Sequence, residues 1–130
     1  IMKSCGARKV IPLNVSGPFH SPMLKEAGDK LYQVLEHVDI KEPNLPYVAN
    51  VNAQYIDRKD DIRELLSQQV YSSVRWQQSV ENMIAAGVDT FVEIGPGTTL
   101  SAFVKKIDRS CKVINVQKVE DLDKLQEIIM

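Results

Sequence analysis

The chain has 130 residues, 44% hydrophobic and 25% charged, with a formal net charge of −1, which fits one globular domain or a piece of one. Near-neutral charge and scattered basic residues exclude a sequence-independent attraction to nucleic acid or anionic lipid. No apolar run reaches the roughly 18–20 residues of a membrane span and no signal-peptide layout opens the chain, so a cytoplasmic protein is expected, with Cys5 and Cys111 as free thiols.

The chain opens Ile1-Met2-Lys3 with neither helix cap nor turn signal, and reads as a fragment that starts inside an element. Residues 4–9 have the pattern of a last helical turn ended by Gly6, with basic residues following. Residues 10–15 predict a strand. A bend over residues 15–23, broken by Gly17 and Pro18, then presents His20 at a strand end just ahead of a helix. Apolar residues at Leu24, Ala27, Leu31, Val34, Leu35 and Val38 have a helical period over residues 22–38. Pro43 and Pro46 mark a loop, and residues 45–51 predict a short buried strand ended by Asn50 and Asn52. A helix over residues 62–70 has Asp60 and Asp61 at its positive end. Trp76, Val80, Met83 and Ile84 make a third helical face, closed by Gly87. Residues 90–94 predict a strand, which Gly95-Pro96-Gly97 turns into a helix capped by Thr98 or Thr99, with Leu100, Phe103, Val104 and Ile107 inward. Residues 112–116 predict a last strand, and Leu122, Leu125 and Ile129 line a last helix. Strands alternating with helices predict an α/β domain with a mainly parallel sheet.

His20 is the first candidate for proton transfer near neutral pH; the only other histidine, His37, lies at the polar end of a helix. Ser16 and Ser21 flank His20, yet no Gly-x-Ser-x-Gly turn occurs in the sequence and no acid is locally spaced to orient the imidazole. The chain therefore offers a base without its nucleophile; Ser21 is better read as a cap of the following helix. Gln69 falls inside the apolar arc of its helix. It is either a buried structural amide or the sign that this helix end meets a polar site, where a last-turn carbonyl could accept the second imidazole N–H. Gly95-Pro96-Gly97 lacks the Lys-Ser/Thr of a P-loop and the spacing of a dinucleotide fingerprint, so chain reversal is a better reading than anion binding. No metal site is expected.

Four stretches, in order, carry a resemblance to a known family. Ser16-Gly17-Pro18-Phe19-His20-Ser21-Pro22-Met23-Leu24 resembles the active-site histidine segment of malonyl-CoA:acyl carrier protein transacylases and, more loosely, of the related acyltransferase domains of fatty acid and polyketide synthases. Pro46-Tyr47-Val48-Ala49-Asn50-Val51 is similar to the family's buried strand, and Gln69-Val70-Tyr71-Ser72-Ser73-Val74-Arg75-Trp76 to its glutamine-containing helix end. Phe91-Val92-Glu93-Ile94-Gly95-Pro96-Gly97 is similar to its late strand and turn. Pro18, Pro22 and Ser73 are minor departures.

The resemblance implies a ping-pong transfer of a malonyl group from coenzyme A to the phosphopantetheine thiol of acyl carrier protein, in fatty acid biosynthesis. It implies that His20 is the general base, that the main-chain carbonyl of Gln69 orients it, and that Phe19 favours malonyl over bulkier acyl groups. It also implies that residues 1–16 end a ferredoxin-like small subdomain and that residues 17–130 are the C-terminal part of the hydrolase-like acyltransferase core. The family's nucleophilic serine, its malonyl-binding arginine and its oxyanion-hole glutamine have no counterparts in these 130 residues, so the chain alone is expected to be inactive. No cofactor is implied beyond the thioester substrate, and the intact enzyme is expected to be a monomer. The rival reading is a non-catalytic α/β module that binds acyl carrier protein.

Overall fold

The computed structural model describes residues 1–12 and 15–126. Near the N-terminus, the Ala7 amide bonds back to the Met2 carbonyl and the Gly6 amide to that of Lys3, with Gly6 at φ 87°. This pair of bonds is the glycine-terminated helix end that the sequence predicts. The strand predicted over residues 10–15 does not form among its described residues. A strand exists only through a ladder partner, and none of the described strands runs beside this segment.

After the bend comes a 3₁₀ turn, Pro22–Leu24, then α1, Lys25–Leu35. Proline suits that start because it lacks the N–H a helix leaves unpaired there. The predicted helix ends three residues early: the amides of His37 and Val38 reach only to Val34 and Leu35, the tightened bonding of a helix end. Of its predicted inward residues, Ala27, Val34 and Val38 are exposed, and the buried position is Gly28.

The predicted strand at residues 45–51 shrinks to β1, Tyr47–Val48, paired antiparallel with β2, Tyr55–Ile56. The pairing is a hairpin and not part of a parallel sheet. Its loop is closed by the Ala53 amide on the Ala49 carbonyl and by the Asn52 side chain accepting from the Gln54 amide, the local bond that lets asparagine initiate turns. β2 is only two residues long, too short for any alternation to announce it.

α2, Lys59–Tyr71, carries Asp60 and Asp61 in its first turn, and α3 spans Trp76–Ala85. α3 ends as predicted at Gly87, where the Val88 amide bonds to Met83 and the Gly87 amide to Ile84. β3, Thr90–Ile94, runs parallel to β4, Lys112–Val116, with Thr90 opposite Lys112 and Ile94 opposite Val116. α4, Thr99–Ile107, is their crossover. The fold is α/β, but among the described residues only this second pair of strands is parallel.

Val80, Val104 and Cys111 form the buried cluster between α3, α4 and the parallel pair, with Trp76, Met83, Ile84, Phe91, Ile107 and Val113 packed against it. Leu100 and Phe103, predicted inward, are each 41% exposed. The last predicted helix is a 3₁₀ segment, Val119–Leu125, and Ile129 lies outside the described residues. The Asp121 carboxylate accepts the amides of Gln117 and Lys118 and so holds the start of that segment.

Candidate active site

His20 has φ 55°, the left-handed region that non-glycine residues rarely adopt and that recurs at functional sites. The bend holds it there. Ser21 Oγ donates to the Pro18 carbonyl at 2.8 Å and the Leu24 amide to the Ser21 carbonyl. Ser21 is therefore at the cap position predicted for it, but its hydroxyl ties the bend and makes no bond to a helix amide.

The imidazole Nδ1 of His20 lies 2.9 Å from the main-chain oxygen of Gln69, 49 residues away. A carbonyl can only accept, so Nδ1 carries the proton and Nε2 of the neutral ring keeps its lone pair. Gln69 is available because α2 ends at Tyr71. The Ser72 amide closes on Gln68, and Ser72 then turns extended, with ψ 151°. The carbonyl of Gln69 is thus the first in α2 with no helical amide to accept. Its side chain is partnered as well: Asn50 Nδ2 donates to Gln69 Oε1 at 3.4 Å.

The spacing between α1 and α2 sets where His20 meets that carbonyl. The two helices touch at Gly28, whose carbonyl accepts the buried Ser67 hydroxyl at 2.8 Å. A β-carbon built on Gly28 would sit 2.5 Å from the Tyr71 ring and 2.9 Å from the Ser67 carbonyl, so only glycine admits this approach. Phe19, beside His20, is 64% exposed, and a β-carbon on Gly17 would touch its ring at 3.5 Å.

The Gly95-Pro96-Gly97 turn lies apart from this pair. Gly95 and Gly97 have φ 140° and 86°, conformations that suit glycine. The Gly97 amide donates to Gln117 and its carbonyl accepts from Asn115. Thr98 stands at the cap position of α4 without a side-chain cap bond. The cap comes from β3 instead: the Glu93 carboxylate accepts the amides of Leu100 and Ser101 at 3.1 and 2.9 Å, and the Ser101 hydroxyl too. The Ser101 hydroxyl, then the two amides, hold the Glu93 carboxyl below the usual carboxylate range. A carboxylate already occupies this helix start, so the turn serves chain reversal and not anion binding.

The structure brings His20 and Gln69 together, with Phe19 adjacent in the chain. Asn50, Gly28 and Ser67 belong to the same assembly, yet sequence reasoning took Asn50 only as a strand end and passed over the other two. The mid-helix glycine was the readable signal, because glycine costs a helix about 1 kcal/mol and repays it where backbones approach. Cys5 is exposed and Cys111 buried, both free. No group of three or more metal-binding side chains converges among the described residues.

The α/β fold presents a histidine ahead of a helix and tethers it to a main-chain carbonyl. The chain is similar to part of the length of several known proteins. The chain is 47% identical over 123 residues to the malonyl CoA-acyl carrier protein transacylase of Bacillus subtilis (strain 168), covering 95% of this chain and 39% of that protein. It superposes on MCAT from Streptococcus pneumoniae with a TM-score of 0.89 and 41% identity, over 98% of this chain and 41% of that one. A type II PKS acyl-carrier protein in complex with its malonyl-transacylase gives 0.89 and 36%, over 97% and 41%. No family model matches the chain. By sequence and fold the chain is a homologue of part of the malonyl CoA-acyl carrier protein transacylases, and it spans about 39% of the curated relatives it matches.

Proposed function

We propose that this chain is the C-terminal part of a malonyl-CoA:acyl carrier protein transacylase and supplies its general base. The observation that carries the reading is the 2.9 Å contact between His20 Nδ1 and the Gln69 carbonyl. It fixes the tautomer that leaves Nε2 able to take a proton, and a neutral carbonyl does the orienting that a carboxylate does in a Ser-His-Asp triad. A serine from the rest of the parent enzyme attacks the malonyl thioester as His20 takes its proton. The carbon–sulfur bond breaks, and His20 returns the proton to the departing coenzyme A thiolate. In the second half-reaction His20 deprotonates the phosphopantetheine thiol of acyl carrier protein, which attacks the malonyl-serine ester; the carbon–oxygen bond to serine breaks, and His20 returns the proton to the departing serine oxygen.

Acyl carrier protein as partner is supported by the solved complex of a malonyl-transacylase with its carrier protein. Phe19 narrows the acyl pocket, and the crowding of one methyl group gives malonyl a preference of ~1–3 kcal/mol over methylmalonyl. The reaction takes place in the cytoplasm, in fatty acid synthesis, on a monomer, with no cofactor besides the thioester consumed. Residues 1–16 close a ferredoxin-like small subdomain of the parent; residues 17–130 complete the acyltransferase core.

The test is serine acylation by malonyl-CoA, followed by intact-protein mass spectrometry of the full-length protein. The unsubstituted enzyme gains the malonyl group and His20→Ala does not, while residues 1–130 alone turn nothing over. Normal acylation of the His20→Ala enzyme removes His20 from the mechanism.

A further inference from the structure

One residue grips both ends of the segment that exposes the Gln69 carbonyl. Asn50 Nδ2 donates to Gln69 Oε1 at 3.4 Å, and the Asn50 carbonyl accepts the Arg75 amide at 2.9 Å. Between these points the chain leaves α2, and Ser72 becomes extended. Had α2 continued one residue, the Ser73 amide would have taken the Gln69 carbonyl and left His20 without its acceptor.

The platform under Asn50 is firmly held. Its neighbour Ala49 is buried, and Ala53, 2% exposed, has φ 59°, a conformation that persists only where the surroundings impose it. They do: the Ala53 amide bonds to the Ala49 carbonyl, and the Ala53 carbonyl accepts Asn82 Nδ2 from α3 at 2.7 Å. The β1–β2 loop is thereby fixed to α3 on one side and presents Asn50 to the end of α2 on the other.

We infer that Asn50 is a positioning residue for the His20–Gln69 pair, its carboxamide fixing the last turn of α2 so that the Gln69 carbonyl stays aimed at His20 Nδ1. The role rests on His20 being the base. It acts through Gln69, so it governs the tautomer and alignment of the imidazole. It should therefore alter kcat without altering affinity for malonyl-CoA.

The experiment separates this inference from the reading beneath it. Long-range ¹H–¹⁵N NMR of the 130-residue chain reports the His20 tautomer, with His37 as internal reference. The unsubstituted chain should show His20 protonated at Nδ1. Asn50→Ala should move it toward the Nε2–H form, and in the full-length enzyme should lower kcat about three- to tenfold, the range of one net hydrogen bond, with KM within about twofold. Gln69→Ala removes the acceptor of the Asn50 carboxamide but keeps the main-chain carbonyl, so it should act in the same direction; it decides the matter if Asn50→Ala does not fold. An Nδ1–H tautomer unchanged in both variants overturns the role of Asn50 and leaves His20 as base. An Nε2–H tautomer in the unsubstituted chain overturns the His20–Gln69 pairing, and this inference with it.

Discussion

Gly28→Ala tests whether the α1–α2 spacing is set by a missing side chain. The new methyl carbon falls 2.5 Å from the Tyr71 ring and 2.9 Å from the Ser67 carbonyl. The ring is half-buried and can swing aside, but the carbonyl belongs to the α2 backbone, so the helices must part. Overpacking of this kind costs about 1–3 kcal/mol. Parting them also stretches the 2.8 Å bond from Ser67 to the Gly28 carbonyl, worth about 1 kcal/mol. Against this, alanine gains about 1 kcal/mol of helix propensity over glycine. The net expectation is a loss of about 1–3 kcal/mol, which at this chain length lowers the melting temperature by roughly 4–10 °C. Urea titration followed by circular dichroism measures it, with Ser67→Ala as a milder control expected to lose about 1 kcal/mol. Stability equal to or above that of the unsubstituted chain would refute the argument, because propensity would then outweigh contact. The same variant should weaken the His20–Gln69 bond, visible as a change in the His20 ring spectrum.

Val80 is fully buried, 0% exposed at the centre of the core; Val80→Ala should cost about 2–3 kcal/mol in urea titration, and a loss under 1 kcal/mol would mean that the core collapses around the gap. Glu93 is held ionised in the folded chain by Ser101 and by the start of α4, so its contribution is complete above about pH 4.3, the value for a free glutamate, and fades as the pH falls through the lower folded value. Glu93→Gln should therefore lower the melting temperature at pH 7 and narrow its gap from the unsubstituted chain near pH 3; a gap independent of pH would sink the capping role. Asp121 is held down to about 2, first by Lys124 and then by the amides of Gln117 and Lys118. Its stabilising effect is present above about pH 3.9 and lost toward pH 2, and a carboxyl ¹³C titration with a midpoint near 4 would contradict that arrangement.

Where a segment carries its own boundaries, the fold was legible in the sequence. Gly6 and Gly87 end helical turns as read, because a left-handed residue at a helix end is a local demand that glycine meets alone. β3, α4 and β4 were readable because apolar period and turn chemistry agree. The antiparallel hairpin was not readable, since two-residue strands carry no period and pairing direction depends on a loop held from α3. Residues 10–15 have strand composition, yet the described ones among them pair with no strand, and composition cannot supply a partner. At the site, the bend at His20 and the open carbonyls at the end of α2 were both visible in sequence. The grip of Asn50 was not, because it joins three segments through amides that look unremarkable singly.

The distance along the chain between His20 and Gln69 has a consequence for folding order. β3, α4 and β4 meet within 27 consecutive residues, whereas the imidazole and its carbonyl close a loop of 49. Chain entropy favours the short closure, and contacts between distant residues form late. β3, α4 and β4 should therefore assemble on refolding before the His20 ring reaches the Gln69 carbonyl, with the left-handed kink at His20 as a further toll on that last step. The contact between His20 and the Gln69 carbonyl is then the last the chain gains, and the one that mild denaturant removes before the C-terminal core gives way.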